Sequence, residues 1–218
     1  MALNKLKFSS INVTPVAGEA IKFNSSANGL ETGSAGGAMT FIKKITASSD
    51  STISFVHGSS SVVFDNTYKE YLFIFNNIHP QTDAQKLTFQ GNASGGSGYN
   101  ETITSTFFRA YSEESGTTAL SYDTGGDQAQ GTSYQQISDS VGSDTDQCCS
   151  GFLHLFNPSS TTFVKHFIAR TNTYQSSDYS IDVFSSGYFN TTSAIDEIQF
   201  KMASGNIDSG TITLYGIN

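Results

Sequence analysis

Tyr-Lys-Glu-Tyr-Leu-Phe-Ile-Phe-Asn-Asn-Ile-His, residues 68–79, sets the fold class. Tyr71, Phe73 and Phe75 fall on one alternating face of an extended chain, Leu72 and Ile74 on the other. Five bulky residues with strong strand preference, closed by Asn76, Asn77 and Pro80, predict a central β-strand buried on both faces. A short buried helix would be equally apolar, but the shortness of the run and the turn signals on both flanks favour the strand. Such a strand needs hydrogen-bonding neighbours on both edges and cover on both faces.

The flanking sequence offers those neighbours. Towards the N-terminus, 39–47 carries Phe41, Ile42 and Ile45, and 51–56 alternates with Ile53 and Phe55 inward. Val62 to Phe64 then leads into the central strand. Towards the C-terminus, 85–91 places Leu87 and Phe89 on one face, and 101–111 holds Ile103, Phe107 and Phe108. Residues 151–156 and 161–170 are strong strands joined by a tight turn at Asn157-Pro-Ser-Ser160. Residues 179–184 alternate Tyr179, Ile181 and Val183. Ile198, Phe200 and Met202 alternate again, and Ile212 and Leu214 mark a closing strand at 211–215 after a turn at 204–210. About ten to twelve short strands separated by turn chemistry predict an all-β sandwich or barrel. The first expectation is a jelly-roll-like β-sandwich over 39–218, the second a looser sandwich.

Composition agrees with that class. The 218 residues include 17 Phe and 10 Tyr, enough large side chains for a substantial core, and only 14% are charged. A polar but uncharged surface suits strands better than helices, whose exposed faces favour Glu, Lys and Arg. The net charge of -8 argues against nucleic acid as a partner, because phosphate binding needs a basic patch. No apolar segment reaches the length of a membrane span, and the first residues lack the apolar run of a signal peptide. The adjacent Cys148 and Cys149 point to opposite faces of an extended chain, so free thiols are expected.

Residues 1–38 read differently. Short extended segments are possible at 3–11 and 20–23, but Pro15, Gly18, Asn28-Gly29 and the Gly-rich run 33–37 interrupt them. This stretch cannot close a core of its own and is expected to be an extended docking arm, tied down by contacts outside itself.

Residues 111–150 contain no Lys or Arg but seven carboxylates, Glu113, Glu114, Asp123, Asp127, Asp139, Asp144 and Asp146. Long exposed loops around one or two weak strands are expected there. Tyr122 and Tyr134 sit among Gly, Gln and Ser, a mixture that supplies flat contact area and adaptable hydrogen bonding. Candidate host-facing residues are therefore Tyr122, Tyr134, Asp123, Asp127, Asp144 and Asp146. The same composition also suits turns that are polar only because they are exposed. Asp144-Thr-Asp146 resembles a fragment of a calcium loop but lacks the further ligands, and no metal or other cofactor is expected. His154 and His166 can face each other on neighbouring strands as a metal pair, but hydrogen-bonded sheet histidines are the expectation. No phosphate loop, His-Glu-x-x-His or Gly-x-Ser-x-Gly motif is present. The chain is therefore expected to be no enzyme.

Three segments together carry a family resemblance: Tyr-Leu-Phe-Ile-Phe-Asn-Asn-Ile-His-Pro at 71–80, Gly-Phe-Leu-His-Leu-Phe-Asn-Pro-Ser-Ser-Thr-Thr at 151–162, and Ile-Gln-Phe-Lys-Met-Ala-Ser-Gly-Asn-Ile-Asp-Ser-Gly-Thr-Ile-Thr-Leu-Tyr-Gly-Ile at 198–217. They resemble virion structural proteins of marine tailed phages, of the tail-fibre and appendage β-sandwich kind. The resemblance implies a β-sandwich head, commonly a homotrimer, located in the virion after assembly in the host cytoplasm. Its partners would be other phage virion proteins, held through residues 1–38, and a host cell-surface glycan or protein. A capsid decoration protein that stabilises the shell without binding a receptor is the alternative. The resemblance carries no catalytic residues.

Overall fold

The strand expected around Phe73 runs from Glu70 to Pro80 and lies inside a nine-stranded antiparallel sheet. The computed structural model describes residues 13, 14, 16, 19–33 and 37–217. The extended possibility at 3–11 lies outside the described residues. Two compact units divide the chain, Met1–Ala38 and Met39–Asn218.

In the first unit, β1 (Ala20–Phe23) and β2 (Leu30–Gly33) form an antiparallel hairpin. Asn28-Gly29 belongs to its turn: the Asn24 N–H donates to the Gly29 carbonyl at 2.9 Å. Phe23 stands opposite Leu30 and is 73% exposed.

The second unit contains β3 (Met39–Thr46), β4 (Ile53–Val56), β5 (Glu70–Pro80), β6 (Leu87–Ala93), β7 (Ile103–Glu113), β8 (Thr118–Tyr122), β9 (Ala129–Gly131), β10 (Gln135–Gln136), β11 (Cys149–Phe156), β12 (Lys165–Gln175), β13 (Tyr179–Phe189), β14 (Ile195–Met202) and β15 (Ile207–Ile217). The large sheet is ordered β3-β15-β5-β11-β12-β13-β7-β8, with β9 also paired to β7; the small sheet is β10-β6-β14-β4. The chain alternates between the sheets from β3 to β7, crosses again through β10 between β9 and β11, and again from β13 to β15. This is the expected all-β sandwich, built from antiparallel sheets. Val62 and Phe64, which lead into the central strand, are buried in a loop.

Aromatic rings join the two layers. Phe200 of β14 meets Phe73 and Phe75 of β5 edge-on at 5.2 and 5.3 Å. Phe55 meets Phe73 at 5.3 Å, and Phe89 meets Phe167 at 5.0 Å. All five of Phe55, Phe73, Phe75, Phe89 and Phe200 are shielded from solvent. Such edge-to-face pairs contribute roughly 0.5–1.5 kcal/mol each beyond area burial.

Four strands cannot cover nine. Where the small sheet ends, the inner face of β7, β12 and β13 turns to small polar residues, and Ser105, Thr171, Thr173 and Ser185 are buried. Segment 123–148 folds beneath them as a lid. Thr171 Oγ1 donates to the Ile137 carbonyl at 2.6 Å, Ser105 Oγ to Gln135 Oε1 at 2.6 Å, and Gln135 Nε2 to Ser185 Oγ at 3.2 Å. The expectation that 111–150 is made of exposed loops is thereby corrected. Residues 135–139 are buried, and three short strands occur in place of one or two. Asp139 is buried because Arg109, reaching in from β7, pairs with it. That cation lies just outside the stretch, where a charge count over the stretch cannot see it.

The central strand also differs from expectation. Tyr71, Phe73 and Phe75 are fully buried, but Leu72 and Ile74 on the other face are only half-buried. Side chains on the outer side of the large sheet are thus less completely covered at these positions than those on the inner side, which face the small sheet.

Candidate binding surface

Strand alternation turns one set of side chains inward and the other outward. On β12, Phe167, Ala169 and Thr171 are buried, whereas His166, Ile168 and Arg170 are exposed. Register then lines the outward residues up across the sheet. Tyr122, Phe108, Phe184, Arg170, Phe152 and Ile74 are successive partners from β8 to β5. The next row contains Ile168, His154, Leu72, Tyr215 and Phe41. A further row contains Tyr188 opposite His166, beside Phe156. Three rows of mainly apolar and aromatic side chains thus form a band on the outer face.

The rings in the band are held in place. Phe108 and Phe184 stack at 4.7 Å with only 5° between their planes. The Arg170 guanidinium lies 4.6 Å over the Phe184 ring and donates to both carboxylate oxygens of Asp182, at 3.0 Å and 2.6 Å. Asp182 holds the Arg170 charge more firmly than usual, through hydrogen bonding first and charge second. His154 Nε2 lies 3.0 Å from Glu70 Oε2. Between Tyr188, His166 and Phe156 the small side chains Thr104, Thr106 and Ser186 leave a shallow depression of about 470 Å³.

The far end of the same sheet is acidic and tyrosine-rich. A depression of about 430 Å³ there is bordered by Glu113, Glu114, Tyr174, Asp178 and Tyr179. The Tyr174 hydroxyl donates to Asp178 at 3.2 Å, and Tyr111 stacks on Tyr179 at 5.6 Å. Hydrogen bonds to Asp178 and Glu113 push the Tyr174 and Tyr179 phenols up from their ordinary range.

The six residues expected to face a host do not converge. Tyr122 ends β8 and hydrogen-bonds Asp127, and that bond raises its phenol pKa. Asp123 accepts from the Gly125 N–H at 2.9 Å and lies 3.7 Å from Arg109, so it also serves the lid. Tyr134 belongs to the small sheet's side: it hydrogen-bonds Gln199, and Lys201 Nζ stands 4.3 Å over its ring. Asp144 and Asp146 are exposed on the loop before β11. Of the six, only Tyr122 enters the aromatic band.

Each histidine has a neighbour of its own. His57 Nδ1 accepts from the Phe64 N–H at 2.9 Å, and His79 Nδ1 contacts the Gln147 carbonyl at 2.6 Å. His154 and His166 are not cross-strand partners, since His154 stands opposite Ile168 and His166 opposite Tyr188. Cys148 and Cys149 are free thiols, as expected. Among the described residues, no three His, Cys, Asp or Glu side chains come together to hold a metal ion, and no helix is long and apolar enough to cross a membrane.

No family model, no curated protein and no solved structure matches the chain. The surface therefore has to be read from its own chemistry. Sequence reasoning missed Phe108, Phe184, Ile168 and Arg170. The available signal was apolar residues on both alternating faces, as at Phe107-Phe108 and at Phe167-Ile168. In a sheet with one covered face, that pattern marks an outer face that also makes contacts.

Proposed function

We propose that the chain is a non-enzymatic virion structural protein, a short tail fibre or appendage. Residues 1–38 dock it to other virion proteins, and a homotrimer of sandwiches presents its loops to the host cell surface. The observation that supports this reading is the apolar outer face of the large sheet. A contiguous band with Phe41, Ile168, Phe108 and Tyr122 exposed suits a subunit of an assembly better than an isolated chain. The exposed hairpin residue Phe23 fits an arm that completes its contacts on a partner. The acidic, tyrosine-bordered depression around Glu113 and Tyr179 suits a neutral or cationic surface group, because a negatively charged one would be repelled.

The test is to label the chain with antibody-bound gold on purified particles and image them. Label at the tail or its vertex is the expected result. Label spread over the whole shell would replace the reading with capsid decoration, and absence of the chain from particles would overturn both.

A further inference from the structure

We infer that the aromatic band on the outer face of the nine-stranded sheet is the contact surface for a second copy of this chain. The inference rests on the reading of the chain as a subunit of an assembly and adds which face makes the contact.

Area is the first argument. The fourteen named positions of the band cover about 450 Å² at a rise near 3.4 Å per residue and a strand spacing near 4.8 Å, and with Thr104, Thr106, Ser186, Thr213 and Lys44 completing the rows the outer face reaches about 700 Å². A stable protein–protein contact buries about 800 Å² per partner. The outer face centred on the band therefore has nearly the size such a contact needs.

Charge is the second. The chain carries -8, so two copies repel unless they meet where charge is compensated. Within the band, Arg170 is paired to Asp182 in bidentate fashion, and His154 Nε2 lies 3.0 Å from Glu70 Oε2. The unpaired acidic groups Glu114, Asp144 and Asp146 lie outside its rows. Like-charge repulsion is thus weakest on the face that is most apolar. This separates a second copy from a cationic partner, which would be drawn to the acidic end instead.

Order is the third. Phe108 and Phe184 are stacked on each other, and Arg170 is fixed over Phe184 by Asp182. Rings already held in one arrangement lose little freedom on association. Cross-strand partners such as Phe152 and Ile74 make the surface nearly continuous with the core strands β5 and β11. Ile168, 49% exposed, stands in the middle row.

The experiment uses the full chain at micromolar concentration in sedimentation velocity. The wild type is expected to sediment as a multimer. The double variant Phe108→Lys, Ile168→Lys places two charges in the band at exposed positions and should weaken association at least ~100-fold, with unchanged circular dichroism. Asp146→Lys adds a charge outside the band and should associate as the wild type does. To keep the result independent of folding, a photo-crosslinking residue at Ile168 should give a covalent dimer, and one at Thr118 should not. A monomeric wild type, a multimeric double variant, or crosslinking from Thr118 alone would overturn the inference. So would a monomeric full chain whose 39–218 fragment associates, because the occupant of the band would then be residues 1–38. These outcomes are distinct from particle labelling, since a chain found in particles can still fail to associate through this face.

Discussion

Cys149 carries its thiol into the fully buried layer beside Ser138, and burial pushes the thiol pKa up to about 12. In the unfolded chain a cysteine titrates near 8.5. Below that value both states hold the proton and nothing is lost. Above it the unfolded state releases its proton while the folded state keeps it, so stability falls as pH rises from about 8.5 towards about 12. A one-proton difference gives a slope of about 1.4 kcal/mol per pH unit. Urea unfolding of Cys149→Ala between pH 8.5 and 11 should show a shallower decline than the wild type, from a lower starting stability. An unchanged slope would mean that the thiol is not the group responsible. The pair of partly exposed Arg109 and buried Asp139 makes a second prediction at this scale. Arg109→Met leaves the buried Asp139 carboxylate without the cation that compensates it and should cost about 3–5 kcal/mol. Replacing both, as Arg109→Met with Asp139→Leu, should recover much of that loss in denaturant titrations. Neither partner signals the other in the sequence, because they are separated by the hairpin of β7 and β8 and by the loop of the lid.

β13 shows how neighbours shape a strand. Gly187 lies in its interior, where an added Cβ would sit 2.4 Å from the Thr104 carbonyl oxygen and 2.9 Å from the Phe167 ring. Gly187→Ala should therefore force β7 or Phe167 to move, costing about 1–3 kcal/mol, seen as a lower melting temperature in calorimetry. Gly95→Ala, where nothing lies within contact range, gives a comparison in which only the positive φ of 78° opposes the change. The same packing explains why β13 was only half legible. Ser185-Ser186-Gly187 carries turn chemistry, so the expected strand stops at Phe184. The observed strand runs on to Phe189 because small residues are what fit against Phe167 and β7. β5, by contrast, was legible at once, since no turn residue interrupts Tyr71 to Phe75. β10 was not legible at all. Gln135 and Gln136 have no apolar pattern, and their strand exists because the Gln135 amide finds Ser105, Ser185 and the Gly126 carbonyl inside the protein. The aromatic band was invisible for another reason. Alternation tells which residues share a face of one strand, but only register tells that Phe108, Phe184 and Phe152 share a row.

At the scale of the whole molecule, the chain divides into two compact units, Met1–Ala38 and Met39–Asn218. Among the described residues, every member of the large buried core, from Ala47 to Leu214, belongs to 39–218. The described part of 1–38 holds a two-stranded hairpin whose Ile21, Phe23 and Leu30 are exposed, with Lys22 paired to Glu31 at 3.5 Å across it. A lone hairpin of this size is marginally stable in water, and a surface ion pair adds at most about 1 kcal/mol. An arm of this kind reaches full order when its apolar side chains meet another surface. Deleting 1–38 should therefore leave the melting transition of 39–218 in place and abolish incorporation into particles. Phe23→Asp, a single change on the most exposed apolar residue of the hairpin, should reduce incorporation in the same direction without touching the sandwich. Copy number per particle, measured by quantitative mass spectrometry against a shell protein, reads both. Normal copy number for the truncated chain would assign docking to the sandwich and leave the hairpin without that role. A lost melting transition would instead mean that the sandwich needs the arm to fold, contrary to a core drawn wholly from 39–218.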